Sequence, residues 1–428
     1  MNGLSTLGRN FIHETRDVKP ENSYLQSQPT YSSKNSETPN GSATSFLCIS
    51  LKIDKYKSWL VFVFLTFNLL ISAPAESGTN PIRWGVNVHS GGDNPKLLAG
   101  KLAERNLKIV RMDLRGNDPR YLAKFRNAAT VFNSKGIAVQ TVFFVNYSKE
   151  NKRNQGISAD FKEVERSAYN QTVTKINATK DLVCDYELQN ETSLYPNICA
   201  ANTTGQKAAD FDTPEGRLQA ASLRGMSRAI DDVRKSSKLP LRIILGTVGR
   251  HWGFLTFMQN QGVLFDVLGY HIYPHLKQQP LDKSPWFGPG GAMGQLALFN
   301  KPITINEYNA GEIYNGTTNA TSHHPGPSYL NRVGDPVTED GFKSCDIHLK
   351  EIIHQNAANV ESVLFYEIWD EPHKARPENR FGLFYDYALQ QPIISLLIAS
   401  SFAGGTLSPA EQSELTTRGI GLTNPPKR

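Results

Sequence analysis

Several features that identify common protein classes are missing from this 428-residue sequence. Its 46 basic and 40 acidic residues are interspersed and give a net charge of only +6, so no basic patch of the kind that binds nucleic acid is present. No glycine-rich phosphate loop follows the first predicted strand, and no G-x-S-x-G motif occurs. These absences argue against a nucleic-acid partner, a dinucleotide-binding sheet and a serine hydrolase.

Cysteines and metal-binding patterns are also scarce. Of the four cysteines, Cys184 and Cys199 are close enough in sequence to form a disulfide in an oxidising compartment, but Cys345 would then have no partner. His323 and His324 are adjacent in a Gly/Pro/Ser-rich segment, and no histidine pair at positions i and i+4 encloses a glutamate. We therefore expect neither a metal nor another cofactor.

The N-terminal region is typical of an exported protein. Residues 1–58 begin with a stretch rich in Ser, Asn, Thr, Gln and Pro, which is too polar to form a core and predicts a disordered extension. Three lysines between positions 52 and 57 then precede the apolar run Trp59 to Ala73, which ends in Ala73-Pro74-Ala75. This pattern predicts a signal peptide at 59–75, and the run is short for a spanning helix of about 20 residues.

The position of this segment leaves two alternatives. Either the chain starts too far upstream of a cleaved signal, or residues 59–73 remain as a membrane anchor. In both cases the globular domain at 76–428 lies outside the cytosol. Seven N-x-S/T triplets follow, consistent with a glycoprotein if the source is eukaryotic: Asn146, Asn170, Asn177, Asn190, Asn202, Asn315 and Asn319.

Beyond the signal, eight short apolar segments alternate with helical patterns. Several are continuously apolar and bounded by polar residues, as buried parallel strands are. Eight β and α elements in alternation predict an α/β fold, specifically a (β/α)8 TIM barrel. The predicted strands are Arg83–His89, Lys108–Leu114, Ile137–Val145, Leu182–Gln189, Leu241–Val248, Phe265–Tyr273, Pro302–Tyr308 and Ser362–Trp369.

The segments between the strands divide into helices and long connections. Helical spacing of apolar residues predicts helices at Asn94–Asn106, from a cap at Asp118 to Ser134, and at Thr213–Ser236, Asp346–Asn359 and Gln391–Ala403. Three long intervals remain, at 145–181, 274–301 and 309–345. Loops at the carboxyl ends of barrel strands build the active site, so insertions there are expected to shape a cleft.

Two glutamates occupy the positions where barrel side chains converge on a ligand. Glu191 follows the fourth predicted strand, and Glu307 lies near the end of the seventh. These strands lie across the barrel from each other, so a sugar could lie between the two side chains. Two carboxyl groups about 5–5.5 Å apart can act as acid/base and nucleophile at a glycosidic bond.

Four further residues fit the same site. Arg111 in the second strand would keep a nearby carboxylate ionised. His271 and Tyr273 alternate along the sixth strand and therefore point to the same side, where a phenol could donate to the nucleophile. Trp369 ends the eighth predicted strand, where its indole could stack on a pyranose ring.

Together these residues resemble the pattern of clan A glycoside hydrolases. The sequence Glu187-Leu-Gln-Asn-Glu191 is similar to the E-L-G-N-E of families 39, 51 and 79, with Gln189 in place of glycine and Thr192 in place of the usual proline. The resemblance extends over residues 82–403.

The resemblance implies a retaining double-displacement mechanism, in which Glu191 is the acid/base and Glu307 is the nucleophile. For these roles the pKa of Glu191 should be raised and that of Glu307 should be low. The resemblance also implies that Asn190 contacts the 2-hydroxyl of the sugar and that Trp369 forms the floor of the subsite that binds this sugar. The expected partner is a carbohydrate. The resemblance to this clan implies a β-linked glycan or glycoside.

Three alternatives remain. Trp369-Asp-Glu371-Pro372 resembles the W-N-E-P acid/base motif of family 5, but it comes so late that too few strands remain to supply a nucleophile. The same residues could serve a transglycosidase, which passes the sugar to another sugar. A catalytically inactive carbohydrate-binding barrel is disfavoured because both glutamates are present. The oligomeric state is not predicted.

Overall fold

The computed structural model describes residues 81–89, 94–145, 160–273, 286–309, 349–350, 359–371, 381–384, 389, 392 and 394–421. All of them belong to the second of the two units into which the chain divides, residues 76–428. The predicted extension and signal segment, residues 1–75, lie outside the described residues, as does most of the helix predicted at Asp346–Asn359.

Eight parallel strands form a closed barrel in sequence order, with β8 pairing to β1. The predicted fold is therefore confirmed. Closure leaves no exposed strand edge, and the strands are mostly buried because helices cover the outer face. The strands are β1 Arg83–Asn87, β2 Ile109–Leu114, β3 Ala138–Phe143, β4 Asp185–Leu188, β5 Arg242–Val248, β6 Val267–Ile272, β7 Ile303–Tyr308 and β8 Val360–Phe365.

Five of the described helices begin after an Asn, Asp, Thr or Ser whose side chain accepts a hydrogen bond from the first turn. The Asp118 carboxylate accepts from the backbone N–H groups of Arg120 and Tyr121, which confirms the predicted cap, and Thr213 accepts from Gly216 N–H. The helices are α1 Pro95–Glu104, α2 Pro119–Ser134, α3 Phe161–Thr179, α4 Pro214–Ser237, α5 Trp252–Asn260, α6 Gly291–Ala297, α7 Ile394–Phe402 and α8 Pro409–Thr417. None of these helices has the length and apolar character needed to cross a membrane.

Two predicted connections contain helices. Residues 161–179 of the long interval 145–181 form α3, and residues 291–297 of the interval 274–301 form α6. α3 packs against α4, where a Cβ on Gly225 would lie 2.1 Å from the Glu165 carbonyl oxygen. The absence of a side chain at this position allows the two helices to approach closely.

The possible disulfide does not form in the structure. Cys184 and Cys199 are both free. Cys184 directly precedes β4, whereas Cys199 lies beyond its carboxyl end and has its sulfur 3.2 Å from the Thr203 hydroxyl. A whole strand therefore separates the two thiols along the barrel wall.

The two ends of the barrel carry different polar residues. At the amino ends of the strands, the Arg242 guanidinium donates to both carboxylate oxygens of Asp185, at 2.7 and 2.9 Å, and also to the Glu361 carboxylate. This network links strands far apart in sequence, and in TIM barrels that face serves stability. Nearer the carboxyl ends, the interior holds a second group of buried charges, which forms the candidate site.

Candidate active site

Arg111 on β2 lies at the centre of the buried network. Its Nε and Nη2 donate to the two oxygens of Glu187 on β4, at 2.6 and 2.9 Å. Nη1 donates to Glu307 at 2.9 Å and to Asn87 at 2.8 Å, and Nη2 also donates to Asn190 at 2.6 Å. One guanidinium therefore fixes side chains from β1, β4 and β7.

The two predicted glutamates meet at this network. A carboxylate oxygen of Glu191, one of Glu307 and a ring nitrogen of His271 all lie within 4.8 Å of one another. His271 Nδ1 is 3.0 Å from Glu191 and 3.2 Å from Glu307. The Glu191 side chain is 29% exposed and that of Glu307 only 5%, so solvent reaches the first carboxylate more readily.

The environment of Glu307 favours its ionised form. Burial by itself would raise the pKa of this carboxyl, but His271, Arg111 and the Tyr273 hydroxyl outweigh burial and lower the pKa to about 2. Tyr273 donates a short hydrogen bond to the Glu307 carboxylate. The low pKa agrees with the expectation for this residue.

The same contacts act on the partners of Glu307. The pKa of His271 is well above its ordinary value, because the favourable interactions with Glu307, Glu187 and Glu191 exceed the cost of its burial. Burial and the neighbouring carboxylate raise the pKa of Tyr273. At neutral pH the site therefore holds an imidazolium and a neutral phenol beside a carboxylate.

The turn that carries Glu191 has an unusual backbone. Gln189 has φ 59° and Glu191 has φ 47°, both in the left-handed region that costs about 1–2 kcal/mol for residues other than glycine. Gln189 occupies the position of the glycine in the resembled motif, so the structure gives a physical reason for that glycine. The hydrogen bond from Arg111 to Asn190 Oδ1 holds the intervening residue.

The aromatic residues near the site divide into exposed and buried ones. Tyr273 stacks on Phe381 with ring centroids 5.5 Å apart, and Tyr366 packs against Tyr273 edge to face at 6.3 Å. Tyr366 directly follows β8 and is partly exposed. Trp369 is 8% exposed and forms a backbone bridge with Phe384, so its ring offers little surface to a sugar. Tyr366 is thus the more exposed of the two rings, and the sugar contact of Trp369 stays a prediction.

A second cluster of titratable side chains lies at this end of the barrel, and the sequence analysis did not predict it. His89 Nε2 is 2.6 Å from Glu367, and His89 Nδ1 is 3.4 Å from Asp113. Glu371 of the rejected W-D-E-P motif belongs here, since it lies with His89 and Glu367 within 4.8 Å and not with Glu307. The sequence carried little signal for this cluster, because His89 follows the end of β1 and its φ of 44° lies outside the extended backbone in which side chains alternate.

Glu187 belongs to the resembled motif, but the sequence predicted no role for it. It is fully buried, and its pKa is lowered because Arg111 and His271 outweigh the effect of burial. The same period-two alternation identifies it, since Asp185 and Glu187 are both polar within a buried strand.

Among the residues that the structure describes, two trios could hold a metal ion by geometry: Glu191 with His271 and Glu307, and His89 with Glu367 and Glu371. In both, the histidine has a raised pKa, so a proton competes with any metal for the imidazole nitrogen. The expectation of a metal-free enzyme stays a prediction.

The fold is similar to that of solved β-glucosidases. A β-glucosidase mutant derived from a hyperthermophilic tetrameric structure matches with a TM-score of 0.51 and 13% identity, over 78% of this chain and 97% of that one. The β-glucosidase from Thermotoga maritima in complex with deoxynojirimycin matches with a TM-score of 0.50 and 13% identity, over 76% and 98%.

A fungal β-1,4-galactanase gives a TM-score of 0.45 at 14% identity, over 76% of this chain and 99% of that one. At such identities the likeness concerns the barrel fold. No protein-family model matches the sequence, and no curated protein does.

Proposed function

We propose that this protein is a retaining glycoside hydrolase that cuts β-linked glycans or glycosides. The observation that carries the proposal is the separation of Glu191 and Glu307, which have carboxylate oxygens within 4.8 Å of each other. Retaining enzymes have their two carboxyl groups about 5–5.5 Å apart, whereas inverting enzymes need about 6.5–9.5 Å for a water molecule. A closest approach of this kind between two carboxylate oxygens fits the retaining arrangement.

In the first step, the Glu307 carboxylate attacks the anomeric carbon and Glu191 donates a proton to the departing oxygen. The bond from the anomeric carbon to the leaving group breaks, and a glycosyl ester to Glu307 forms. In the second step, Glu191 takes a proton from water, the water oxygen attacks the anomeric carbon, and Glu307 leaves as a carboxylate. Sugar and water are the only reactants, which suits the expectation of no cofactor.

The surrounding residues support these roles. Arg111 and Tyr273 keep Glu307 ionised and oriented between turnovers. His271 contacts both carboxylates, so it separates two groups that would otherwise repel each other. Asn190, held by Arg111, is placed beside Glu191 to contact a sugar hydroxyl. The export signal predicted at 59–75 supports action outside the cytosol.

A panel of aryl β-glycosides and β-glycans tests the proposal. The wild type should release product of retained configuration, seen by proton NMR before mutarotation. Glu307→Gln should lose at least about a thousandfold in kcat while still unfolding in a cooperative transition, at a melting temperature lowered by the loss of a buried ion-pair partner. Glu414→Gln, on exposed α8, is the matched control and should keep full activity. Inverted product, or substantial turnover by Glu307→Gln, contradicts the proposal.

A further inference from the structure

The cluster of His89, Asp113 and Glu367 lies at the same end of the barrel as the candidate catalytic pair. Asp113 comes two residues beyond Arg111 on β2 and therefore faces the same side, one step nearer the barrel mouth. His89, two residues beyond Asn87, follows the end of β1 and contacts Asp113. Asn87 and Arg111 belong to the network that holds Glu307. The cluster is therefore a second polar layer above that network.

Ring contacts join the cluster to Glu307. His89 packs edge to face on Tyr366 with centroids 5.9 Å apart, and Tyr366 packs on Tyr273 at 6.3 Å. Tyr273 in turn donates to Glu307. The partly exposed Tyr366 thus lies between the catalytic pair on one side and the His89 cluster on the other. A sugar ring on Tyr366 with its anomeric carbon at Glu307 would turn its distal hydroxyls toward His89.

The cluster is held in place but remains accessible. His89 contacts Glu367 at 2.6 Å and Asp113 at 3.4 Å, and Arg115 binds Asp113 at 2.8 Å. The His89 side chain is 29% exposed and that of Asp113 is 13% exposed, whereas Glu367 is fully buried. Fixed, partly open polar groups of this kind bind a ligand without being ordered first.

The chemistry of the cluster favours hydroxyl groups over anions. Each ionised carboxylate is an acceptor only, with about four lone-pair positions, and so can accept from sugar O–H groups. Three carboxylates, Asp113, Glu367 and Glu371, are close to two cations, His89 and Arg115. The remaining negative charge would repel the carboxylate of an acidic sugar.

We propose that His89 and Asp113, with His89 held by the buried Glu367, recognise hydroxyl groups of the sugar whose anomeric carbon faces Glu307, and that the cluster selects neutral sugars over uronic acids. This inference rests on the proposed hydrolase function and names its substrate class. It assigns a binding role to residues that take no part in bond cleavage.

The test uses the neutral aryl glycoside that the wild type cleaves fastest, together with its monodeoxy analogues and the matching aryl uronide. Asp113→Asn should lose about tenfold to a hundredfold in kcat/KM on the parent glycoside, the loss expected for a hydrogen bond to a charged group. On the analogue that lacks the recognised hydroxyl, Asp113→Asn and wild type should be equal within about twofold. His89→Gln should show the same pattern.

Asp212→Asn is the matched control, because Asp212 is exposed and paired with Arg217 far from the cluster along the chain. It should retain wild-type values on every substrate. Melting temperatures separate misfolding from lost recognition, and the comparison between analogues within one variant is independent of the folded fraction.

Equal losses on all analogues, or a higher kcat/KM for the uronide than for the neutral glycoside, would overturn the inference. Those outcomes leave the hydrolase proposal standing, since the wild type still turns over. Absence of wild-type turnover on every glycoside would instead refute the proposed function.

Discussion

Both oxygens of the Glu187 carboxylate bind Arg111, with Nε 2.6 Å from one and Nη2 2.9 Å from the other. Glu187 is fully buried and faces the guanidinium group that also binds Glu307. Arg111 therefore divides its charge between two carboxylates. Glu187 both fixes the direction of the guanidinium and limits how strongly it stabilises Glu307.

Replacing Glu187 with Gln should lower stability and activity together. Removing one partner of a buried ion pair costs about 3–5 kcal/mol, and the amide keeps one acceptor, so we expect a loss near the lower end. The undivided charge of Arg111 should also make Glu307 less nucleophilic and reduce kcat more than it changes KM. Urea unfolding and steady-state kinetics measure the two effects. Unchanged kcat in the folded variant would restrict Glu187 to a structural role.

Tyr273→Phe removes the hydroxyl that donates to Glu307. Hydrogen bonding to the charged form lowers the pKa of that carboxyl, so its loss should raise the pKa from about 2. The acid limb of the kcat/KM profile should move to higher pH, and kcat should fall about tenfold to a hundredfold. A pH profile on a chromogenic glycoside measures both. An acid limb that stays in place would contradict the assigned role of the phenol.

The pH dependence of stability should report on His89. Its pKa is raised from 6.5 to about 9, because hydrogen bonds and charge interactions with Asp113 and Glu367 exceed the cost of burial. Because the pKa of His89 is higher in the folded state, protonation of His89 stabilises the fold. This stabilisation is complete below the pKa of the unfolded state and is lost as the pH rises through about 9.

The gap in melting temperature between wild type and His89→Gln should therefore be largest near about pH 6 and shrink toward about pH 10. Comparison with this variant isolates His89 from His271, whose pKa is also raised. A gap that is constant across this range would contradict the ion pairing of His89.

Two glycine substitutions in helices should have opposite effects. A methyl group at Gly225 on α4 would lie 2.1 Å from the Glu165 carbonyl oxygen of α3, so Gly225→Ala must separate the helices and should cost several kcal/mol, about 2–4. Gly100 on α1 has nothing within 4 Å of its Cβ position, so Gly100→Ala should stabilise by about 0.5–1 kcal/mol. Urea unfolding of both variants compares them directly. Equal effects would contradict the packing of α3 on α4.

The strands were predictable because several are short, continuously apolar runs and all alternate with helical patterns, and their predicted bounds lie within a few residues of those observed. α3 was missed because its sequence carries Asn and Thr residues of low helix propensity, and its buried positions include the polar Thr172 and Lys175. α5 is an apolar, aromatic run that periodicity alone cannot assign.

The site was predictable to the extent that it depends on strand ends. Glu191, Glu307, Arg111, His271 and Tyr273 meet as expected, because parallel strands bring their carboxyl ends to one face. The pairing of His89 with Glu367 spans 278 positions and has no local pattern. Similarly, the choice between Tyr366 and Trp369 as platform depends on where β8 ends, which the sequence placed four residues too late.

Covalent labelling tests the central claim most directly. The protein would be inactivated with a 2-deoxy-2-fluoro glycoside that has a good leaving group and carries the sugar that the wild type cleaves fastest, and then digested and analysed by mass spectrometry. We predict one sugar per chain, attached as an ester to Glu307 and released slowly in water. A label on Glu191 or Glu371, or inactivation without any label on Glu307, would contradict the assignment of Glu307 as nucleophile.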